Sequence, residues 1–126
     1  MFIYRDLEPP SGFVFIVDID GVIADATAHQ HYLKGTSQDW ENFFEAALNS
    51  RVFREGRELV KSLDASKPIF LMTARPSYLL EKTVDWLNQN EIYWDALLMR
   101  EGNDDRSSPE VKLDLLRDLI ECGYKP

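Results

Sequence analysis

Short runs that are apolar throughout alternate along this chain with longer stretches in which apolar residues recur at helical spacing. Residues 13–18 (Phe-Val-Phe-Ile-Val-Asp) are apolar and β-rich without polar alternation, which predicts a strand buried on both faces. Trp40, Phe43, Phe44, Ala47 and Leu48 recur at helical intervals, so residues 39–49 read as a helix with Asp39 placed to cap it. A shorter helix is expected from about Glu55 to Leu63. Pro68 opens a second apolar strand, Ile69, Phe70, Leu71 and Met72, ending at Thr73. Ser77 is placed to cap a helix with the stripe Leu80, Val84 and Leu87. A third strand covers residues 96–99 and gives way to a polar loop from Arg100 to Ser107. Ser108 and Pro109 start the last helix, whose stripe is Leu115, Leu116, Leu119 and Ile120, and Gly123 ends it.

Strands that alternate with helices predict an α/β fold with parallel pairing and helices on both faces of the sheet. Ligands in such sheets bind outside the carboxyl ends of the strands, where Asp18 and Thr73 both fall. With 126 residues, 44% of them hydrophobic, the chain suffices for a single domain with one core, and no linker divides it. A formal charge of −8 disfavours broad binding to a phosphate backbone, yet leaves room for a local basic pocket that grips one phosphate. The lone Cys122 excludes an internal disulfide framework and a cysteine zinc cage, and fits a reducing, cytoplasmic setting. No apolar run approaches the length of a membrane span, and Asp6, Glu8 and two prolines stand where a signal peptide would need an apolar core.

The chemistry concentrates at Asp18 and Asp20, which end the first strand ahead of Gly21. Gly21 lets the backbone turn sharply, so both carboxylates can face one pocket. Two like charges that close favour a shared cation, and Mg2+ prefers hard oxygen ligands of this kind. Asp18 then suits a nucleophile that attacks phosphorus, and Asp20 a general acid/base for the leaving oxygen. Phosphoryl transfer otherwise asks for positioning and neutralised charge. Thr73 offers a hydroxyl and a backbone N–H, and Lys112 offers a cation near a helix start, where the dipole alone would favour an anion.

These residues resemble the motifs of the haloacid dehalogenase superfamily. Asp18-Ile19-Asp20-Gly21-Val22 is similar to its first motif, with valine where threonine is common. Leu71-Met72-Thr73 resembles the second and Lys112 the third. Further segments resemble the phosphatase half of polynucleotide kinase–phosphatases: residues 39–44, 72–76 and 83–87, then Leu98-Met99-Arg100 leading to Asp105-Arg106 and Val111-Lys112. The resemblance implies a Rossmann-like three-layer sandwich with a core of residues 12–23 and 68–126 and a small helical cap over residues 24–67. It implies a phosphatase that forms an aspartyl-phosphate on Asp18, with Asp20 as acid/base, and magnesium held by Asp18 and by a carbonyl of Asp20. Substrate contacts would come from Gly21, Thr73, Ala74, Arg75, Arg100 and Lys112. The substrate would be a phosphorylated small molecule or a nucleic-acid end carrying a 3′-phosphate.

The superfamily's fourth motif, an acidic residue ending a strand after the Lys112 helix, has no counterpart, since no carboxylate follows Glu121. A C-terminally truncated version of the fold is therefore expected. The fourth strand would lie beside the first, so the first strand is expected to form an open sheet edge that a second copy could cover. Competing readings are a small-molecule phosphatase of the same superfamily, an inactive metal-binding or interaction module, and a signalling receiver domain. The third strand ends Met99-Arg100 and lacks the phosphate-accepting aspartate that a receiver needs there. Simple structural roles stay open for Arg75 and Arg100, the latter by pairing with Asp104 or Asp105. His29 and His31 read as solvated, and Trp40, Phe43 and Phe44 as core packing.

Overall fold

The computed structural model describes residues 1–25, 42, 46–63 and 65–126. Its centre is a four-stranded sheet of β1 (Phe2–Tyr4), β3 (Phe15–Asp18), β6 (Ile69–Pro76) and β7 (Ala96–Arg100), in the order β1-β7-β6-β3. β3 and β7 flank β6 in parallel, with Val17 opposite Leu71 and Leu71 opposite Leu97. β1, which the sequence pattern did not suggest, adds antiparallel to β7. Two short pairs accompany the sheet: β2 (Gly12–Phe13) runs parallel to β8 (Tyr124–Lys125), and β4 (Ala24–Asp25) runs antiparallel to β5 (Arg51–Val52).

Helices α1 (Arg54–Ser62), α2 (Leu80–Gln89) and α3 (Ser108–Glu121) complete the described elements. The sheet's period of two sends alternate residues to opposite faces. Leu71, Leu97 and Met99 share one core cluster with Val60 of α1 and Trp86 and Leu87 of α2. Phe70, Met72, Ala96 and Leu98 share the other with Val111, Leu115 and Leu119 of α3. The architecture is three-layered and α/β, as the strand–helix alternation implied.

Several boundaries differ from the sequence reading for physical reasons. The run 13–18 is two strands, because the chain changes partner at Val14. The Val14 amide donates to the Lys125 carbonyl, whereas the Phe15 amide donates to that of Pro68. β3 is the outer strand of the sheet, so the expected burial on both faces is not found: Phe15, Ile16 and Asp18 are half-buried and Phe13 is 62% exposed. β6 does not stop at Thr73 but continues to Pro76, which pairs with Arg100 after a register shift. Proline is tolerated there because it ends the strand. Ser77 begins a 3-10 turn (Ser77–Leu79) rather than capping α2, and Ser107 rather than Ser108 precedes α3. Ile120 is exposed, its expected place in the stripe taken by Val111. Gly123, at φ +92°, ends α3 as expected and leads into β8.

The cap expected over residues 24–67 is described at its two ends, as β4, β5 and α1. Within the helix expected at 39–49, Asn42, Ala46 and Ala47 are helical; Trp40, Phe43 and Phe44, like His29 and His31, lie outside the described residues.

Candidate active site

The carboxyl ends of β3 and β6 build the site. Asp18 is the last residue of β3, and the Ile19 amide still bonds the Met72 carbonyl at 2.9 Å. The chain then folds back. The Ile19 carbonyl accepts from the amides of Ile23 (2.9 Å) and Ala24 (2.8 Å), and Gly21 donates to the Ala24 carbonyl at 2.9 Å. Gly21 sits at φ +92°, a conformation that side chains disfavour, so the turn depends on glycine. Ile19, Ile23 and Ala24 are fully buried and anchor the turn in the core.

The two aspartates leave this turn into different surroundings. Lys112, in the second turn of α3, places its Nζ 3.2 Å from Asp18 Oδ1, and both side chains are partly solvated. Asp20 is enclosed. Its Oδ1 accepts from Arg75 Nη2 at 2.8 Å and Nε at 3.2 Å, and its Oδ2 accepts from the Thr73 hydroxyl at 2.7 Å. Thr73 Oγ1 in turn accepts from the Arg75 amide at 3.1 Å. Thr73 and Arg75 are fully buried. The same guanidinium also reaches Thr83 Oγ1 of α2 at 3.5 Å and the Ala47 carbonyl at 3.3 Å. One buried cation thus ties the Asp20 turn, a core helix and the return segment of the insert together.

Arg75 and Arg100, read from the sequence as substrate contacts, are both buried and turned inward here. Arg100 donates through Nε to the Ala74 carbonyl at 2.7 Å, and through Nη1 to the carbonyls of Asp104 (3.1 Å) and Arg106 (2.6 Å). Burial lowers the pKa of its guanidinium. It pins the loop between β7 and α3 to the end of β6, using backbone oxygens rather than the carboxylates of Asp104 or Asp105. Asp104 pairs with Arg106 instead, whose side-chain and backbone bonds hold its carboxyl down at about 2.

Sequence reasoning missed the bond between Arg75 and Asp20, although a signal existed. Thr73 and Arg75 are two apart on one strand and so share a face. Thr83 as a partner of Arg75 had no comparable signal.

Among the described residues no group of three or more His, Cys, Asp or Glu side chains converges on a metal position. Mg2+ nevertheless takes one or two carboxylates and keeps several waters. The partly solvated Asp18 carboxylate suits that donor chemistry, whereas both Asp20 carboxylate oxygens are engaged by Arg75 and Thr73.

The model of the polynucleotide kinase PNKP phosphatase domain matches residues 13–126. The chain belongs to this family. As a PNKP-type phosphatase domain of the haloacid dehalogenase class, it has solved neighbours of the same fold. It superimposes on a chain in the structure of the Pnkp1/Rnl/Hen1 RNA repair complex with a TM-score of 0.70 and 23% identity, over 97% of this chain and 36% of that one. The class C acid phosphatase from Bacillus anthracis with tungstate bound aligns with a TM-score of 0.60 and 14% identity, over 93% of this chain and 50% of that one. This phosphatase domain therefore spans between about a third and a half of these solved chains. No curated protein matched the sequence. No helix among the described residues is long and apolar enough to cross a membrane.

Proposed function

We propose that the chain hydrolyses phosphate monoesters by a magnesium-dependent route through an aspartyl-phosphate on Asp18, with the 3′-phosphate of a nucleic-acid end as substrate. The observation that carries this reading is the solvent-accessible Asp18 carboxylate, paired at 3.2 Å with Lys112, one turn from an enclosed Asp20. An Asp18 oxygen attacks phosphorus, the bond to the leaving oxygen breaks, and Asp20 gives that oxygen its proton. Water then attacks the phosphoryl group, Asp20 takes the water's proton, and the Asp18–phosphorus bond breaks to release phosphate. Lys112 neutralises the equatorial oxygens throughout. Magnesium, held through Asp18, would supply further charge neutralisation. Before giving up a proton Asp20 must carry one, so its Oδ2 has to leave the Thr73 hydroxyl. Arg75 acts by holding Asp20, and Arg100 by holding the loop ahead of α3; neither needs to touch substrate.

Membership in the PNKP family and the presence of a fold neighbour in an RNA repair complex support a nucleic-acid end over a free metabolite. A cytoplasmic setting fits that role and the single free thiol of Cys122. The test is hydrolysis of a 3′-phosphorylated oligonucleotide against a nucleoside 3′-monophosphate, each with Asp18→Asn as control. The oligonucleotide should be preferred and Asp18→Asn should abolish both reactions; outright preference for the short substrate sinks the end-repair reading. Turnover that survives Asp18→Asn sinks the mechanism.

A second reading, a weakly active module, is favoured by the engagement of both Asp20 oxygens, which leaves Asp18 as the open carboxylate of the pair. Magnesium titration followed by Asp18 chemical shifts separates the two: saturation only far above physiological concentrations supports the module. The outer edge of β3 also suits pairing with a second copy, and sedimentation that shows only monomer at high concentration counts against that.

A further inference from the structure

Helix α1 approaches the turn that carries Asp20 through a residue without a side chain. A Cβ on Gly56 would lie 1.9 Å from the Val22 carbonyl oxygen, 2.7 Å from its carbon and 2.9 Å from Ile23 Cα. All three are backbone atoms, so no rotamer change can relieve the overlap. Helix propensity favours alanine over glycine in a helix interior, so a buried glycine within α1 calls for a packing reason, and this approach is one.

The turn cannot simply slide away. The Phe53 amide, just ahead of α1, donates to the Ile23 carbonyl at 2.6 Å, and Ala24 pairs with Val52. Ile19, Ile23 and Ala24 are fully buried. On its other side the turn is held through Asp20 by Arg75 and Thr73. Restoring ordinary contact at Gly56 needs a shift of about 1.5 Å, well beyond the ~0.5 Å spread of hydrogen-bond lengths.

We infer that Gly56 is a positioning residue for Asp20: its bare backbone lets α1 seat the Val22–Ile23 turn so that the Asp20 carboxylate meets Arg75 and Thr73. The inference rests on the phosphatase reading above for its effect on catalysis, but not for the seating itself. The returning helix α1 thus sets where the acid/base stands.

Three measurements on the whole chain test this. Gly56→Ala is compared with Leu119→Ala, a core truncation on the opposite face of the sheet. The readouts are Tm, kcat and KM on an aryl phosphate, and hydrogen exchange of the Arg75 Nε–H. Gly56→Ala is expected to lower kcat about 100-fold with KM within about threefold, the scale of a misplacement near 1 Å. It should also speed Arg75 Nε–H exchange about tenfold or more, the direct sign that Asp20 has left its seat. Leu119→Ala should lower Tm and leave kcat and that exchange unchanged. If Gly56→Ala matches Leu119→Ala, losing Tm alone, the inference is overturned. Should Gly56→Ala not fold, native-state exchange of the unaltered protein decides. The Phe53 amide and the Arg75 Nε–H should then open together, within about threefold, and an Arg75 Nε–H that stays protected while Phe53 opens overturns the inference. Absence of phosphatase activity in the unaltered chain would overturn the catalytic reading, leaving the exchange results to decide the seating.

Discussion

Asp18 and Asp20 are two residues apart, yet they occupy opposite electrostatic worlds. Asp18 stands partly in water with one ammonium beside it, a pair that water and salt screen and that contributes little to folding. Asp20 has a fully buried guanidinium on one oxygen and a buried hydroxyl on the other. Two donors from one buried arginine on a single carboxylate oxygen make a strong, directional contact, and the burial of the arginine makes it costly to leave either partner alone. The difference separates two tasks. Under the proposed mechanism, the residue that would meet phosphorus is left approachable, while the one that would carry a proton is tied to two buried side chains.

Removing Arg75 breaks this contrast most severely. Arg75→Ala leaves Asp20 in its enclosed site without a counter-charge and leaves Thr83 Oγ1 and the Ala47 carbonyl without that donor. Loss of one partner from a buried pair costs about 3–5 kcal/mol, and Asp20 is partly exposed, so urea unfolding should show a loss toward the lower end of that range, a large fraction of the domain's stability. Arg75→Lys tests the geometry: a point charge cannot supply Nε and Nη2 to one carboxylate oxygen, and it should recover only part of the loss. Wild-type stability in Arg75→Ala would mean that the clamp is not structural.

Lys112→Ala probes the solvated half, and here stability and activity should part. The pair is about a third exposed on the lysine side, so its loss should cost under about 1 kcal/mol of folding free energy. Loss of one cation facing the phosphoryl group should cut kcat about 100-fold or more. The comparison is sharpened by salt, since added NaCl should weaken the Asp18–Lys112 pair well before it touches the Asp20 clamp. Equal losses of folding and turnover in Lys112→Ala would show that the two halves are not distinct.

Much of the fold was legible in the residues, but this contrast was not, since both carboxylates were expected to face one pocket and the buried partners of Asp20 come from tertiary packing. The order of strands and helices follows from period, so β3, β6, β7, α2 and α3 could be placed to within a few residues. Asp18 and Thr73 could be gathered at one lip because parallel sheets end their strands together, whereas Lys112, on a helix, was joined to them by the family resemblance. β1 escaped because Phe2–Tyr4 is three residues long and its pairing partner lies far along the chain. For Arg75 and Arg100 the residues left a substrate contact and a structural role both open, because arginine is seldom fully buried and the backbone carbonyls and carboxylate that make burial tolerable here are assembled only by the folded chain. Gly56 carried a faint signal as an isolated glycine within a helical pattern, but its target, the Val22 backbone, is set by tertiary packing.

The pair between Asp104 and Arg106 offers the smallest effect and a control for arginine burial, because its carboxylate is about as exposed as Asp20 while its arginine is solvated. Arg106 bonds both Asp104 oxygens and also pairs with Asp114, yet its side chain is 44% exposed. If arginine alone made the Asp20 clamp strong, Arg106→Ala should resemble Arg75→Ala; if burial is what counts, it should cost clearly less than Arg75→Ala at neutral pH, where the contribution of the surface pair is fully present. Acid then shows what the surface pair does. The folded carboxyl of Asp104 sits at about 2 against an ordinary value of 3.8, so folding favours its ionised form. That contribution is complete above pH ~4 and is lost as the pH falls from about 4 toward 2. Amide protection in the loop 101–107, taken relative to the intrinsic exchange rate at each pH, should fall over that window and fall much less in Asp104→Asn, where the carboxyl at 104 is gone. A loop that loosens equally in both proteins would assign the acid response to another group, and the contrast between surface and buried arginine pairs would then have to rest on Arg106→Ala alone.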